Sequence, residues 1–449
     1  MAACIELRPI APTPPAATLP ALRSFVSPLT GVVRGLAETL AAPDEARLRS
    51  IGCELADGRP TIGSALESYT GSEHWSVDAA EAAAIGEALE RYSASYVPED
   101  ELVLATAEEL GPDVADPARF ALFAEEQYAT RGFPFVPFRR DTVVSWVEGF
   151  ALPGGERALL PAQLVFMPWQ RRSPLETRIG HATSSGLACA GTLEEAVLTG
   201  LLELVERDAF MLAWHNRLSL PLLDWSGDAE LTRLDRRYFA STRLRYSAVD
   251  LSAFLDVPTV LGVVHGAAGA LGALGVGAAS AASVAVAWRK ALSEAFSVQR
   301  WVRDRALEEP ERLGRPARDI RTFDDHTLYY ADERRAASCA FLDSSPVRRP
   351  VAEVAPLEGA NVLELIEAVT RRLSNRGVSA YAADVTSPDI RAAGLRVVHV
   401  VAPELCQLDV VEGARFLGGR RMYEAAFEAG LVPRPLRRGD LNPDPHPFP

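Results

Sequence analysis

Acidic residues recur at helical spacing in three places, each beside a basic residue. Glu87 and Glu90 stand three apart in GEALERY (86–92), so on a helix both carboxylates leave from one side and can reach one cation. Glu195, Glu203, Glu206 and Arg207 form the second set. At about 100° per residue, Glu195 and Glu206 fall within about 20° of each other, Glu203 lies about 80° and Arg207 about 120° from Glu195. The third set is Lys290 and Glu294, one turn apart. Converging carboxylates raise one another's pKa unless a cation intervenes. Mg2+ is the natural hard-oxygen partner, and it normally bridges carboxylates to phosphate oxygens. The same spacing fits a solvated helix face, and for Lys290 and Glu294 a surface pair worth at most about 0.5 kcal/mol.

Helices must present these groups. SVDAAEAAAIGEALERYSASY (76–96) is rich in Ala, Glu and Leu, lacks Pro and opens on Ser76 as a cap. TLEEAVLTGLLELVERDAFMLAW (192–214) has Thr192 as N-cap and Glu195 at the capping-box spacing. Val197, Leu201, Leu204 and Val205 fill the arc opposite the acids. A third helix starts near Ser283, and a fourth runs from Asn361 to Gly377. Runs such as DTVVSWVEGFAL, ALLPAQLVFMP, VSAYAADV and LRVVHVVAP read as strands of a mixed or antiparallel sheet. VPTVLGVVHGAAGALGALGVGAAS (257–280) reads as a hairpin, and 308–350 as loop with short elements. Helices and strands interleave, which gives an α/β (α+β) protein.

The 449 residues carry 46 Lys and Arg against 60 Asp and Glu, a formal charge of −14. That balance argues against nucleic acid, which is met by clustered cations. Five scattered cysteines suggest neither a zinc site nor a disulfide framework, and read as reduced thiols in a cytoplasmic protein. The first twenty residues lack the basic start and apolar core of a signal peptide. The uncharged stretch 258–288 is mostly Ala, Gly and Ser, so a hairpin and helix start are preferred to a membrane span. No GxxxxGK[ST] or GxGxxG loop is present.

The acidic segments resemble the YcaO family. GEALERYSA is similar to its GEAxERYS segment, SSGLACAGTLEEAVLTGLLELVERDAF to its S-x-GLAAGxTxEEAxxxGLxExxERDA segment, and KALSEA to RALxEA. FPFVPFRRDTVVSWVEGFAL, LLPAQLVFMP and FDDHTLYYA resemble the family's intervening stretches. The resemblance runs from about residue 22, and implies a flexible arm over 1–21 and a YcaO-type domain over 22–449. Its fold would have mixed and antiparallel sheets, with long helices bearing a site for ATP and Mg2+. It further implies Glu87, Glu90, Glu203, Glu206 and Glu294 as metal-site acids, and Arg91, Glu195, Arg207 and Lys290 as nucleotide contacts. Lys290 stands where the family has Arg, so a bidentate fork is replaced by a point charge. Gly191 stands where some members have Asn.

What the resemblance implies for activity is ATP-dependent cyclodehydration of Cys, Ser or Thr in a ribosomally made precursor peptide, giving thiazoline or oxazoline. The terminal Pro445, Pro447 and Pro449 match the PxPxP tail of azoline-forming members and are expected near the reacting atoms, with the carboxylate of Pro449 orienting the site. A disordered polyproline tail is the alternative. Expected partners are a leader-binding protein similar to ubiquitin-activating enzymes, a flavin dehydrogenase acting later, and a second copy in a homodimer. Thioamide formation, amidine formation and a scaffold role are the competing functions. His326 and His399 are left unassigned.

Overall fold

The computed structural model of the protein describes residues 5–64, 66 and 69–449. The helices that bear on the candidate residues are α1 (Pro15–Arg23), α2 (Val77–Ser95), α3 (Leu193–His215), α4 (Val284–Glu308) and α5 (Val362–Asn375). Their starts follow from capping. Ser76 accepts from Ala79 N–H at 3.3 Å, Thr192 from Glu195 N–H at 3.2 Å, Ser283 from Val286 N–H at 3.4 Å and Asn361 from Glu364 N–H at 3.0 Å. Each satisfies an N–H that the helix leaves open, worth about 1 kcal/mol. Gly377, at φ 71°, closes α5 in the left-handed region that glycine adopts freely.

The chain forms two compact units interleaved in sequence. Unit 1 holds the described residues up to Thr39, Arg49–Leu204 and Glu358–Leu405; unit 2 holds Leu40–Leu48, Val205–Leu357 and Cys406–Pro449. The cut falls within α3.

Unit 1 contains a three-stranded antiparallel sheet, Val33–Thr39, Arg49–Leu55 and Tyr69–His74. Its second sheet runs in the order Val103–Ala105, Val144–Ala151, Tyr381–Asp384, Arg396–Val401 and Leu187–Ala190, with Arg157–Pro161 also pairing on Val144–Ala151. Its strand pairs are antiparallel, as alternating runs bounded by Pro and Gly suggest. The core sets Ile85, Leu89 and Ala88 of α2 among Val147, Leu160 and Val397. Gly186 and Gly200 let α3 come close: a Cβ on Gly200 would lie 2.5 Å from the Gly186 carbonyl oxygen. The described part of the segment expected as a flexible arm, residues 5–21, is bonded within this unit and helical from Pro15. Ile5 N–H donates to Gly155 O at 3.0 Å, and Ile10 O accepts from Val362 N–H at 2.9 Å.

Unit 2 has a five-stranded sheet in the order Leu274–Ser280, Thr259–His265, Arg245–Asp250, Leu222–Asp224, Arg348–Pro350, with only the last pair parallel. The predicted hairpin is its first two strands. Glycines on the hairpin admit α4: a Cβ on Gly277 would sit 2.6 Å from Ala295 N. The side chains here are therefore small because a helix backbone lies on them, not because a membrane surrounds them. Among the described residues no helix is long and apolar enough to cross a membrane.

Candidate nucleotide and metal site

In unit 1, α2 and the start of α3 supply five of the expected residues. Glu87 pairs with Arg91 one turn on, at 3.3 Å. Glu90, three residues from Glu87, accepts from Cys189 N–H at 2.7 Å. It keeps a little solvent contact yet is enclosed by protein, and its carboxyl is pushed up to about 8. Burial is the main cause, and the charges of Glu203 and Glu87 add to it, while Arg91 and the Cys189 N–H oppose it. Glu203 accepts from Gly186 N–H at 3.3 Å, an approach that depends on the glycine backbone there. Glu87, Glu90, Arg91 and Glu203 thus form one electrostatically coupled group.

Glu195 stands apart in its bonding. Its Oε2 accepts from the Thr192 hydroxyl at 3.0 Å and its Oε1 from Thr13 N–H at 2.6 Å. Glu194 beside it is buried and accepts from Arg8 N–H at 2.9 Å. The Thr192–Glu195 spacing that made Glu195 legible at a helix start thus brings its carboxylate, expected to meet nucleotide, onto the Thr192 hydroxyl and Thr13 N–H instead.

In unit 2, α3 continues with Val205, Glu206 and Arg207. Arg207 pairs with buried Glu206 at 2.8 Å, and its guanidinium lies 4.4 Å from the centre of the Phe448 ring. Glu294 of α4 accepts from Ala278 N–H at 2.8 Å, an approach made possible by the glycines of the hairpin. Lys290 is exposed, and no ion pair joins it to Glu294 among the described residues. The surface-pair alternative is absent.

The C-terminal segment is docked within unit 2, not a free polyproline tail. Pro445, His446, Pro447 and Phe448 are buried, and Pro449 is half-buried. Trp214 Nε1 donates to Asp444 O at 3.2 Å, the Tyr330 hydroxyl donates to Pro445 O, and His446 Nε2 donates to Asp409 O at 2.8 Å. Phe448 N–H donates to His446 Nδ1 at 3.2 Å, which fixes the neutral tautomer. His326 stacks on His446 at 4.1 Å and contacts His446 O at 3.0 Å. Burial holds both imidazoles below their ordinary pKa of 6.5, His446 well below. His326 and Tyr330 lie in FDDHTLYYA, so the family-like stretch was visible while its part in holding the tail was not. His399, in unit 1, faces the carbonyls of Val165 and Ser185, which accords with a structural histidine.

Among the described residues no three His, Cys, Asp or Glu stand close enough to hold a metal ion by themselves. Mg2+ with a polyphosphate still fits the donor set, because Mg2+ takes one or two carboxylates and fills its octahedron with phosphate and water oxygens. Glu90, kept protonated partly by the carboxylates near it, is the group that an added cation would ionise.

Separate, largely antiparallel sheets carry long helices on which Glu87, Glu90, Arg91 and Glu203 form one coupled group. The family comparison names the class: the model described as YcaO cyclodehydratase, ATP- and Mg2+-binding, matches residues 74–406. The chain belongs to the YcaO family. A protein of Methanothermobacter thermautotrophicus, itself uncharacterized, is 30% identical over 208 residues, 46% of this chain and 50% of its own length. A heterocyclase solved in complex with substrate and cofactor superposes with a TM-score of 0.81 at 24% identity, over 99% of this chain and 59% of that one. YcaO from Methanopyrus kandleri, bound with AMPPCP and Mg2+, gives 0.63 at 20% identity, over 90% and 94% of the two chains. The chain thus spans only half to three fifths of the first two, and the structural likenesses establish its mixed α/β fold.

Proposed function

We propose that the chain is an ATP-dependent azoline-forming cyclodehydratase acting on Cys, Ser or Thr of a ribosomally made peptide. The reading rests on membership of the YcaO family together with one observation, the docked Pro445–Pro449 segment whose Phe448 covers Arg207. Glu87, Glu90, Glu203, Glu206 and Glu294 would hold Mg2+, and Arg91, Arg207 and Lys290 the phosphates. Glu195 would act at one remove, by fixing the start of α3. Bound Mg-ATP would supply the phosphoryl group that turns the former amide oxygen into a leaving group. The chain's own task is positioning and charge neutralisation, the usual division of labour in phosphoryl transfer. A tail with fixed backbone torsions suits that task, since little entropy is lost in holding it.

The heterocyclase solved in complex with substrate and cofactor supports a heterocycle-forming, cofactor-using reaction here as well. A leader-binding protein, a later flavin dehydrogenase and a homodimeric state belong to the same proposal. Incubation of the chain with Mg-ATP, a precursor peptide and its leader-binding partner should remove about 18 Da per ring, the mass of the water lost in closing an azoline. Gain of about 16 Da would instead identify thioamide formation. An unchanged peptide with a full complement of partners would point to the scaffold role. Amidine formation also removes water, and tandem mass spectra separate it by the linkage of a backbone or side-chain amine.

A further inference from the structure

Unit 1 contains a cavity of about 850 Å³ beside the coupled acids and distinct from them in chemistry. Its wall includes Arg91, Met167, Trp169, Arg171, Arg178 and His181. Every ionisable residue of the described lining is Arg or His, in a chain that carries 60 acids against 46 Arg and Lys. Two of the four arginines at or beside it are already neutralised. Arg91 pairs with Glu87, and Arg172, which lies 5.6 Å from the Trp169 ring, pairs with Glu99. Arg171 and Arg178 are exposed, and among the described residues neither pairs with a carboxylate.

The cationic wall is held in place. The Arg178 guanidinium stands over Phe135 at 5.3 Å, and Gln163 grips the backbone on both sides of it. Gln163 Nε2 donates to Thr177 O at 2.9 Å, and its Oε1 accepts from Ile179 N–H at 3.0 Å. Trp169 stacks on Phe166 at 6.4 Å. Planar guanidinium forks match carboxylates and phosphates, while Trp169 and Met167 offer an apolar face to the rest of a ligand. A metal-bound triphosphate is poorly suited to this chamber, because its lining has no carboxylate to complete the Mg2+ shell. Arg91 places the chamber one helical turn from Glu87, so a chain lying in it would run toward the acids.

We propose that this cavity binds the stretch of peptide flanking the residue to be modified, and that Arg171 and Arg178 select acidic side chains in that stretch. The proposal rests on the reading of the chain as a peptide-modifying enzyme, and its test uses binding alone. A dye-labelled peptide of alternating Glu and Gly around one Cys, and its Gln–Gly counterpart, are titrated with the full chain without nucleotide, and anisotropy is read. Wild type should bind the Glu peptide, more weakly as salt rises, and discriminate against the Gln peptide. Arg171→Gln with Arg178→Gln should weaken the Glu peptide about two- to thirtyfold, since each of the two exposed ion pairs contributes about 0.2 to 1 kcal/mol. Arg236→Gln, an exposed arginine of unit 2, should change nothing, and Mg-ATP affinity should persist in the double variant. Absence of Glu-peptide binding by wild type, equal binding by the double variant, or a parallel loss of Mg-ATP affinity would each overturn the proposal. Azoline chemistry is judged separately, by mass loss from a precursor peptide, so either idea can fail alone.

Discussion

Glu90 is the carboxyl whose state depends most directly on whether a cation is present. With its pKa at about 8 it is largely protonated at pH 7 in the free protein. A Mg2+ ion near it would favour the charged form, so Mg-nucleotide binding at pH 7 should release up to about one proton. Calorimetry in buffers of different ionisation enthalpy reads this directly. Glu90→Gln should lose the release, and an unchanged proton count would remove Glu90 from the metal site. Glu203→Gln and Glu206→Gln keep shape and remove a charged oxygen, so both should abolish peptide-dependent phosphate release while the melting temperature holds. Lys290, exposed and without an ion pair to Glu294, has no structural partner to lose. Lys290→Ala should therefore weaken nucleotide use with no loss of stability, and Lys290→Arg should retain it. Wild-type behaviour of the alanine variant would strip Lys290 of its role.

The tail and α3 meet through Phe448 and Arg207, an element-scale contact that makes Phe448 a positioning residue in the proposed site. A cation–π contact of this kind contributes about 0.5 to 2 kcal/mol. Phe448→Leu should raise the KM for ATP about three- to tenfold, and Phe448→Trp or Tyr should restore most of it, a pattern that loss of packing alone does not produce. Deleting residues 445–449 is a blunter test, since burying an aromatic side chain is commonly worth about 3 to 5 kcal/mol and Phe448 is fully buried. The deletion should cost stability as well as activity. Helix starts were legible in the sequence because Ser76, Thr192, Ser283 and Asn361 act within four residues of themselves. The hairpin was legible from its glycines. The docking of the tail was not, because its partners Asp409, Tyr330 and Trp214 are 37 to 230 residues away and nothing in Pro-x-Pro-x-Pro names them. The same distance hid Thr13 as the partner of Glu195, and the cationic cavity, which gathers residues from three separate segments.

Across the whole molecule, buried titratable groups predict how stability follows pH, and the sign differs on the two sides of neutrality. Burial lowers the pKa of His215, His326, His399 and His446 from 6.5. An unfolded chain would protonate all four as pH falls through 6.5 while the folded chain resists, so the stability they contribute above that pH is lost on acidification. Glu90, at about 8, and Glu412, at about 7, act oppositely. Their folded forms hold protons that the unfolded carboxyls, at 4.5, have released, so they favour the fold below that value and lose this contribution as pH rises through 7 to 8. Four imidazoles outnumber two carboxyls. The melting temperature should thus change little or rise slightly from pH 8 to 6.5, then fall steadily toward pH 5. Three of the four histidines lie in unit 2, where His326 and His446 hold the tail, so hydrogen exchange should speed up first at residues 444–448. His446→Asn, which leaves a polar side chain at that position but cannot take up a proton, should flatten the acid limb. A melting temperature constant from pH 7 to 5, or an acid limb unchanged in His446→Asn, would show that the buried imidazoles do not govern the pH response.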